Sequence, residues 1–236
     1  MQSHTPDKYV EFSPPTDLVI LRTADGSFTL DSPTLGEHYH SLHGAVAESR
    51  HVYIQQGLRS TGKRKLDILE VGFGTGLNAL LTWVECGQVG LQVDYLALEP
   101  YPLPPSLRMV AGHTTAINEP AKEHVFEAMM NLPDGEWLDL PDGFRFRRES
   151  QRVQELEAEE AFDLVYFDAF APAIQPSMWS LEVFQRIHRA MRPGAMLVTY
   201  CAKGDVRRTM MQAGLKPERV QGPPGKYKML HALRPE

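Results

Sequence analysis

The chain has 236 residues, of which 42% are hydrophobic and 23% are charged, and its formal net charge at pH 7 is −6. This balance is typical of a globular protein with a real core, and it excludes a disordered chain, a coiled coil and a collagen-like fibre. The net negative charge argues against a protein that wraps duplex DNA by charge alone, although a local basic patch can still hold RNA.

The cysteine content and the hydropathy pattern bear on the compartment. Two cysteines, Cys86 and Cys201, are too few for a disulfide framework and suit a reducing cytosol. No apolar run approaches the ~20 residues of a membrane span, and the first residues lack the basic-then-apolar layout of a signal peptide. We therefore expect a cytoplasmic protein with no membrane segment.

Residues 1–60 are predicted to form an N-terminal extension packed on the core. An alternating segment on both sides of the turn signal Asp25-Gly26 predicts a β-hairpin or two short strands. A polar loop then leads into a helix that is expected from about Gly44 to Gln55.

Residues 61–236 are predicted to form the core domain, because strands and helices alternate along them. Such alternation predicts an α/β fold with a mostly parallel, seven-stranded sheet and helices on both faces. The segment at about 100–140 is longer than a normal crossover, and we expect it to be a helical insert of two helices split near 114–118. The strands are predicted near 66–72, 91–99, 144–150, 162–168, 195–201, 216–221 and 228–233.

A glycine-rich loop, Gly72-Phe73-Gly74-Thr75-Gly76, stands between the first core strand and a helix and follows the acidic Glu70. The dinucleotide fingerprint G-x-G-x-x-G requires a glycine where Leu77 stands, so the loop instead resembles motif I of S-adenosylmethionine-dependent methyltransferases. A carboxylate beside this loop is compatible with a cofactor that carries a cationic sulfonium and an amino group. The predicted cofactor contacts here are Glu70, Gly72, Gly74, Thr75, Gly76 and Asn78.

Two further positions are candidates for the cofactor. Glu99 ends the second core strand, where an acidic residue hydrogen-bonds ribose hydroxyls in nucleotide-binding sheets. Glu149 and Ser150 follow the third strand, where this fold commonly holds the adenine, although they also fit a solvated charged run.

The fourth strand ends in Asp168, followed by Ala169-Phe170-Ala171-Pro172. This block has the layout of the (D/N)-P-P-(Y/F) motif of amino-methyltransferases, with an alanine in place of the first proline. An amine gains positive charge as it accepts a methyl group, and a nearby carboxylate stabilises that charge. Asp168 is therefore the predicted catalytic residue, while Phe170 and Pro172 are predicted substrate contacts and Phe170 also suits plain core packing.

Two other groups of side chains lie near these motifs in the sequence. Met178 and Trp179 either line the substrate pocket or anchor the helix that begins near Ser180. A histidine cluster suggests a metal, but it lacks a cysteine or a regular pair of ligands, so we expect no metal and a hydrogen-bonded loop instead. The cluster consists of His38, His40, His43 and His51.

Two long blocks, residues 69–83 and 166–184, strongly resemble the tRNA 5-methylaminomethyl-2-thiouridine methyltransferases, that is the MnmD proteins and the methyltransferase half of bifunctional MnmC. The resemblance extends from about Glu37 to Leu233. It implies a Rossmann-like methyltransferase with S-adenosyl-L-methionine as donor and S-adenosylhomocysteine as product. It also implies that the substrate is the amine of 5-aminomethyl-2-thiouridine at the wobble position of the tRNA anticodon stem-loop, with Asp168 on the acceptor side.

The bifunctional relatives of this family also carry a flavin-dependent oxidase half, which 236 residues are too few to hold. We therefore expect a monofunctional enzyme whose aminomethyl substrate is supplied by a separate enzyme. Three alternatives stay open: an N-methyltransferase acting on a free small amine or another nucleic-acid base, a nicotinamide-dependent oxidoreductase, and a catalytically silent binding module.

Overall fold

The computed structural model describes Phe12 and residues 14–236. Residues 1–11 and residue 13, on which the start of the predicted extension and the signal-peptide argument fall, lie outside the described residues. In the part that is described, no helix has both the length and the apolar character needed to cross a bilayer.

The core is one eight-stranded sheet, so the predicted α/β class and mostly parallel sheet are confirmed while the predicted count of seven strands is wrong. Its strands are β4 Lys65–Val71, β5 Gln92–Leu98, β6 Trp137–Leu140, β7 Phe144–Glu149, β8 Phe162–Phe167, β9 Met191–Thr199, β10 Lys216–Gln221 and β11 Lys228–Leu233. The strand order is β10-β11-β9-β8-β4-β5-β7-β6. The central strands β9, β8, β4, β5 and β7 pair in parallel, and the two edges pair antiparallel.

Helices cover both faces of this sheet because the buried strands send alternate side chains to opposite sides. The core helices are α2 Leu77–Val89, α3 His113–Ala116, α4 Glu123–Met130, α5 Leu181–Ala190 and α6 Gly204–Gln212. On one face of the sheet, Leu164 and Tyr166 of β8 pack in the same cluster as residues of helices α2 and α4. On the other face, Val165 and Phe167 pack with residues of helices α5 and α6.

The eighth strand comes from the predicted helical insert. A short helix, α3, lies where a split between two helices was expected, and the end of the insert forms β6 against β7 with Trp137 opposite Arg147. The sequence pattern missed β6 because the strand is only four residues long and lies at the sheet edge, where two of its four side chains are exposed.

Strand β9 begins earlier than the expected start near residue 195 and runs through Pro193 and Gly194. Its register against β8 shifts between Phe162 and Leu164, which marks a bulge. Gly194 has a φ of +76° there, and a bulge both tolerates proline and favours a residue without Cβ.

The N-terminal extension forms a small antiparallel sheet of β1 Val19–Arg22, β2 Phe28–Ser32 and β3 Glu37–His38. Helix α1, Ala45–Ser49, follows and continues as a π-helical segment, Arg50–Gln55. Val52 and Tyr53 of that segment belong to the same buried cluster as α2 and β8. The division of the chain into 1–60 and 61–236 stays a prediction.

Candidate active site

A cavity of about 760 Å³ opens beyond the carboxyl ends of β4, β5 and β8. This is the edge of an open α/β sheet at which ligands bind. The N-terminal extension forms one wall through Tyr39 and His40, and the loops after the strands form the others. Six predicted site residues line the cavity: Gly72, Gly74, Glu99, Asp168, Phe170 and Met178.

The glycine loop approaches the end of β8 so closely that side chains are excluded from it. A Cβ on Gly72 would lie 2.4 Å from the carbonyl oxygen of Asp168, and Gly72 has a φ of +91°. Gly74 has a φ of +50°, and its Cβ would lie 3.1 Å from the Tyr39 ring. Glycine therefore lets the loop backbone, which we call the cradle, pack directly against the end of β8 and the Tyr39 ring, and it leaves no side chain between that backbone and the cavity, as expected where a cofactor contacts the backbone.

Glu99 is held in place at the end of β5 by two backbone N–H groups. Gly74 N donates to its Oε2 and Tyr101 N donates to its Oε1, each at 3.0 Å. Burial raises the pKa of this carboxyl despite these hydrogen bonds. Each carboxylate oxygen has a second lone pair, so the side chain retains the capacity to accept bonds from the two hydroxyls of a ribose.

Asp168 is oriented by the side chain of Asn78, whose single amide nitrogen bridges two carboxyl groups. Asn78 Nδ2 donates to Asp168 Oδ2 at 2.8 Å and to Glu70 Oε1 at 2.9 Å. Both of its N–H groups are thus used, which fixes the rotamer of Asp168. Glu70 is fully buried, and burial raises its pKa well above the usual range. Glu70 and Asn78 therefore lie behind Asp168 rather than in the wall of the cavity.

Burial raises the pKa of Asp168 to about 6, against the polar groups of Tyr53 and Asn78, which lower it. Two charged groups act on this pKa in opposite directions, because Glu48 raises it and Lys226 lowers it. At pH 7 a carboxyl with a pKa of about 6 is about nine-tenths ionised. Asp168 is therefore negative at neutral pH and also within reach of protonation, which suits proton transfer.

A partly buried ion pair beside Asp168 joins two distant parts of the chain. Lys226 Nζ lies 2.5 Å from Oε1 of Glu48, which is 7% exposed, and 4.0 Å from the centre of the Tyr200 ring. Tyr200 in turn donates its hydroxyl to the backbone oxygen of Ala169 at 2.9 Å. The sequence motifs described above include none of Glu48, Tyr53, Tyr200 and Lys226. No local motif marks the pair, since 178 residues separate its two members.

Phe170 lies in the cavity wall rather than in the core. Its ring meets that of Tyr39 edge-on, with centroids 5.1 Å apart, and that of Phe12 at 5.9 Å. Trp179, by contrast, is 5% exposed, packs against Phe167 and donates its indole N–H to the Phe170 oxygen at 2.8 Å. Of the two aromatic candidates, Phe170 is therefore placed to contact a base, and Trp179 anchors the loop that carries it.

The other predicted site residues lie outside the cavity lining. Glu149 pairs with Arg147, and the backbone N–H of Ser150 donates to Asp134. Gly76 is enclosed by Met130, Phe73 and Phe126. The predicted site residues outside the lining are Glu70, Thr75, Gly76, Asn78, Glu149, Ser150, Pro172 and Trp179. For all of them we propose supporting roles, while direct binding stays a prediction.

Two buried histidines hold the glycine loop through Thr75. His40 Nε2 and His113 Nε2 each lie 2.8 Å from the Thr75 hydroxyl. The other three N-terminal histidines are dispersed: His38 pairs with Asp31, His51 with the Gln221 oxygen, and His43 packs on Gly225. Among the described residues, no group of three or more His, Cys, Asp and Glu side chains is arranged to hold a metal ion.

This histidine pair predicts a loss of stability in acid. Burial lowers the pKa of His40 to about 4 and that of His113 to about 3, below the ordinary value of 6.5. The unfolded chain therefore binds protons first, so stability is complete above pH 6.5 and declines as the pH falls towards 3. We expect the midpoint of urea unfolding to decrease between pH 7 and pH 5, and the double variant His40→Gln/His113→Gln to decrease less over the same interval. An equal decrease of the urea midpoint in the wild type and in the double variant would contradict the assignment of this acid sensitivity to His40 and His113.

Comparison with known proteins places this site in a family context. Residues 146–235 match the family described as S-adenosyl-L-methionine-dependent methyltransferase. The chain is 32% identical over 222 residues to the tRNA 5-methylaminomethyl-2-thiouridine biosynthesis bifunctional protein MnmC of Cupriavidus necator, covering 87% of this chain and 33% of that protein. The same protein of Burkholderia multivorans is 30% identical over 223 residues, with 86% and 33% covered.

Two crystal structures share the fold. That of MNMC2 from Aquifex aeolicus has a TM-score of 0.70 and 24% identity, covering 91% of this chain and 70% of that one. That of spermidine synthase from Thermotoga maritima has a TM-score of 0.54 and 11% identity, covering 94% and 71%. The chain spans about a third of the length of the curated relatives it matches.

Proposed function

We propose that this chain, an S-adenosyl-L-methionine-dependent methyltransferase, methylates the exocyclic amine of 5-aminomethyl-2-thiouridine at the wobble position of tRNA to give 5-methylaminomethyl-2-thiouridine. The observation that carries the proposal is the backbone contact between the glycine loop and Asp168, because it places a carboxylate directly beside the cofactor cradle. The similarity to MnmC proteins supports the choice of substrate.

The residues of the cavity fit the cofactor. The cradle at Gly72 and Gly74 presents bare backbone to its amino-acid and sulfonium part, and the Glu99 carboxylate suits its ribose hydroxyls. Carboxylates in the lining match the positive charges of the cofactor. When bound, S-adenosyl-L-methionine supplies an electrophilic methyl group on a cationic sulfur.

Asp168 acts on the acceptor amine in two ways. An alkyl amine is protonated at pH 7 and must lose a proton before its lone pair can react. The ionised carboxylate attracts this ammonium group, and its raised pKa makes it a better proton acceptor than an ordinary aspartate. Once this proton has passed on to water, the carboxylate is ionised again and stabilises the charge that develops on nitrogen as the nitrogen–methyl bond forms and the sulfur–methyl bond breaks. Asn78 holds the carboxylate in this orientation, so most of the contribution of the protein is alignment and electrostatics.

The partner that fits these features is the tRNA anticodon stem-loop. A wobble base that is turned out of its loop can enter the cavity and stack against an aromatic ring, a role that Phe170 is placed to perform. We further propose that a catalytic centre outside this methyltransferase fold supplies the aminomethyl group. The reaction then takes place in the cytoplasm, where tRNA is modified.

A free small amine is the second candidate substrate, and the acidity of the cavity favours it. Besides Asp168 and Glu99, the lining includes Glu37, Glu48, Glu155 and Glu182. This concentration of carboxylates suits a soluble polyamine as well as an aminomethyl base.

A methyl-transfer assay separates the two candidates. Purified protein is incubated with radiolabelled S-adenosyl-L-methionine and bulk tRNA from cells unable to make the methylaminomethyl group, followed by nucleoside analysis. Label in 5-methylaminomethyl-2-thiouridine is the expected result. Binding of the cofactor without labelling of that tRNA would reject the proposed substrate, and labelling of free amines would then establish the second candidate.

The Glu48–Lys226 pair predicts opposite shifts of the pH profile. Because Glu48 raises the pKa of Asp168 and Lys226 lowers it, Glu48→Gln should move the acid limb of kcat/KM to lower pH, and Lys226→Met should move it to higher pH. Wild-type activity is expected to rise with pH through about 6, as Asp168 ionises. If the acid limb moves in the same direction in both variants, the pair acts through folding rather than through charge.

A further inference from the structure

One aromatic side chain beside the cavity is almost entirely exposed. Tyr227 lies in the turn between β10 and β11 and is 87% exposed. Its two neighbours in the chain are lysines, and Lys228 Nζ lies 5.1 Å from the centre of the tyrosine ring. The mechanism described above makes no use of this ring, and the core gains little from it.

The turn is connected to the active site through Lys226. That residue lines the cavity, pairs with Glu48 and stands over the Tyr200 ring. Tyr200 is hydrogen-bonded to Ala169, the residue after Asp168. Tyr227, one position further along the chain, therefore follows directly on a residue of the cavity lining, and its own side chain faces solvent.

The turn is held firmly for a solvent-exposed segment. Gly222 N donates to the Tyr227 oxygen at 3.2 Å, and Lys226 N donates to the Pro223 oxygen at 2.9 Å. At the end of β10, His51 Nε2 lies 2.9 Å from the Gln221 oxygen. These bonds fix the backbone that carries the tyrosine, so an aromatic platform is available at little cost in conformational entropy.

The charges near this platform suit a phosphate backbone. Among the described residues, Lys228 pairs with no carboxylate, and its Nζ lies over the Tyr227 ring. Two other cations are engaged within the protein: Lys63 pairs with Asp163, and Arg148 is 5% exposed and donates to the backbone oxygens of Met130 and Leu132. A lysine beside an exposed aromatic ring is the arrangement that binds single-stranded nucleic acid.

Building on the proposed function, we infer that Tyr227 stacks on an anticodon-loop base next to the modified uridine and that Lys228 contacts the adjoining phosphate. The modified base itself occupies the cavity, so the Tyr227 ring, which lies outside the cavity lining, contacts a neighbouring base of the loop. Proteins that act on an unstacked loop base commonly stack its neighbours on aromatic side chains. The contact replaces the stacking that the loop loses when the wobble base turns outward.

The test uses an anticodon stem-loop RNA that carries the aminomethyl uridine, with 2-aminopurine placed on either side of it in turn. Tyr227→Leu is expected to raise the KM for this RNA by about 5- to 100-fold, the range found when a stacking ring is removed, and to leave kcat at saturation unchanged. Tyr227→Phe should retain the wild-type KM, since stacking needs the ring and not the hydroxyl. Wild type and Tyr227→Phe, but not Tyr227→Leu, should quench one of the two 2-aminopurines.

One control variant and one further test variant make the experiment more specific. Trp137→Leu removes an aromatic residue that is 38% exposed on the opposite edge of the sheet, and it should leave both KM and quenching unchanged. Lys228→Gln should reduce the slope of log affinity against log salt by about one, as expected for a single phosphate contact. Thermal unfolding verifies that each exposed substitution leaves the fold intact.

Failure of this inference is distinguishable from failure of the proposed function. If the wild type methylates the RNA and Tyr227→Leu performs equally well, the stacking role is wrong and the proposed function stands. If the wild type binds the RNA but does not methylate it, the proposed function is wrong, and quenching alone decides the stacking role. Loss of a protein partner by Tyr227→Leu with unchanged RNA kinetics would reassign the surface to protein docking.

Discussion

Replacing Asp168 with asparagine is expected to lower kcat/KM for methyl transfer by about 10²- to 10³-fold, the range found when one electrostatic group is removed from an active site. Asparagine preserves the shape of the side chain but neither attracts an ammonium group nor accepts its proton. Cofactor affinity, measured by calorimetry, should be unchanged because the cradle at Gly72 and Gly74 and the carboxylate of Glu99 are untouched. The residual rate should also lose its dependence on pH near 6, where Asp168 titrates.

The matched control for this variant is Asp163→Asn. Asp163 lies on the same strand, β8, but at its amino end, where Lys63 Nζ and Arg192 Nη1 donate to it at 2.7 and 2.8 Å. Those charges lower its pKa, whereas burial raises that of Asp168. Asp163→Asn should therefore reduce stability and leave kcat/KM intact. If cofactor affinity falls in Asp168→Asn as much as the rate does, Asp168 is a cofactor ligand rather than an acceptor-side group.

Replacing Gly72 with alanine is expected to weaken cofactor binding by about 10- to 100-fold, which corresponds to ~1–3 kcal/mol of backbone strain. The added Cβ would lie 2.4 Å from the Asp168 oxygen, and the φ of +91° is one that L side chains rarely adopt. The loop must therefore move away from the end of β8, and the cradle loses its shape. Calorimetric titration with S-adenosyl-L-methionine measures the effect, and thermal unfolding measures the accompanying loss of stability.

Gly62→Ala separates strain from the loss of the close contact. Gly62 also has a positive φ, +65°, but a Cβ there would have no atom within 4 Å. Only the cost of the left-handed backbone remains, ~1–2 kcal/mol, and cofactor affinity should not change. A Gly72→Ala protein that binds the cofactor normally would show that the loop tolerates displacement, and the proposed cradle would then be rejected.

The parts of the site that depend on local chain order were predictable from the sequence. A Gly-rich turn between a buried strand and a helix is typical of a ligand loop, and the structure places Gly72 and Gly74 in the cavity wall. Asp168 and Glu99 were predictable for a related reason. Parallel strands present their carboxyl ends at one edge of the sheet, so residues that end two such strands must lie near each other.

The tertiary structure alone decided which polar residues touch the cavity and which support it. Glu70 and Asn78 are as prominent in the motif as Gly72, yet they lie behind Asp168, because alternate residues of a strand face opposite sides and the first turn of a helix points partly inward. Glu149 and Ser150 follow a strand in the same way as Asp168 does, but their strand lies nearer the sheet edge and their partners are Arg147 and Asp134.

Contacts between distant segments were beyond sequence patterns altogether. The pair of Glu48 and Lys226 beside Asp168 exists because the N-terminal extension and the turn between β10 and β11 meet over the same strand ends. The eighth strand was missed for a similar reason: β6 is specified by its pairing with β7 and not by its own four residues. Periodicity and motifs report on neighbours in the chain, whereas burial and pKa values depend on neighbours in space, which only the folded sheet brings together.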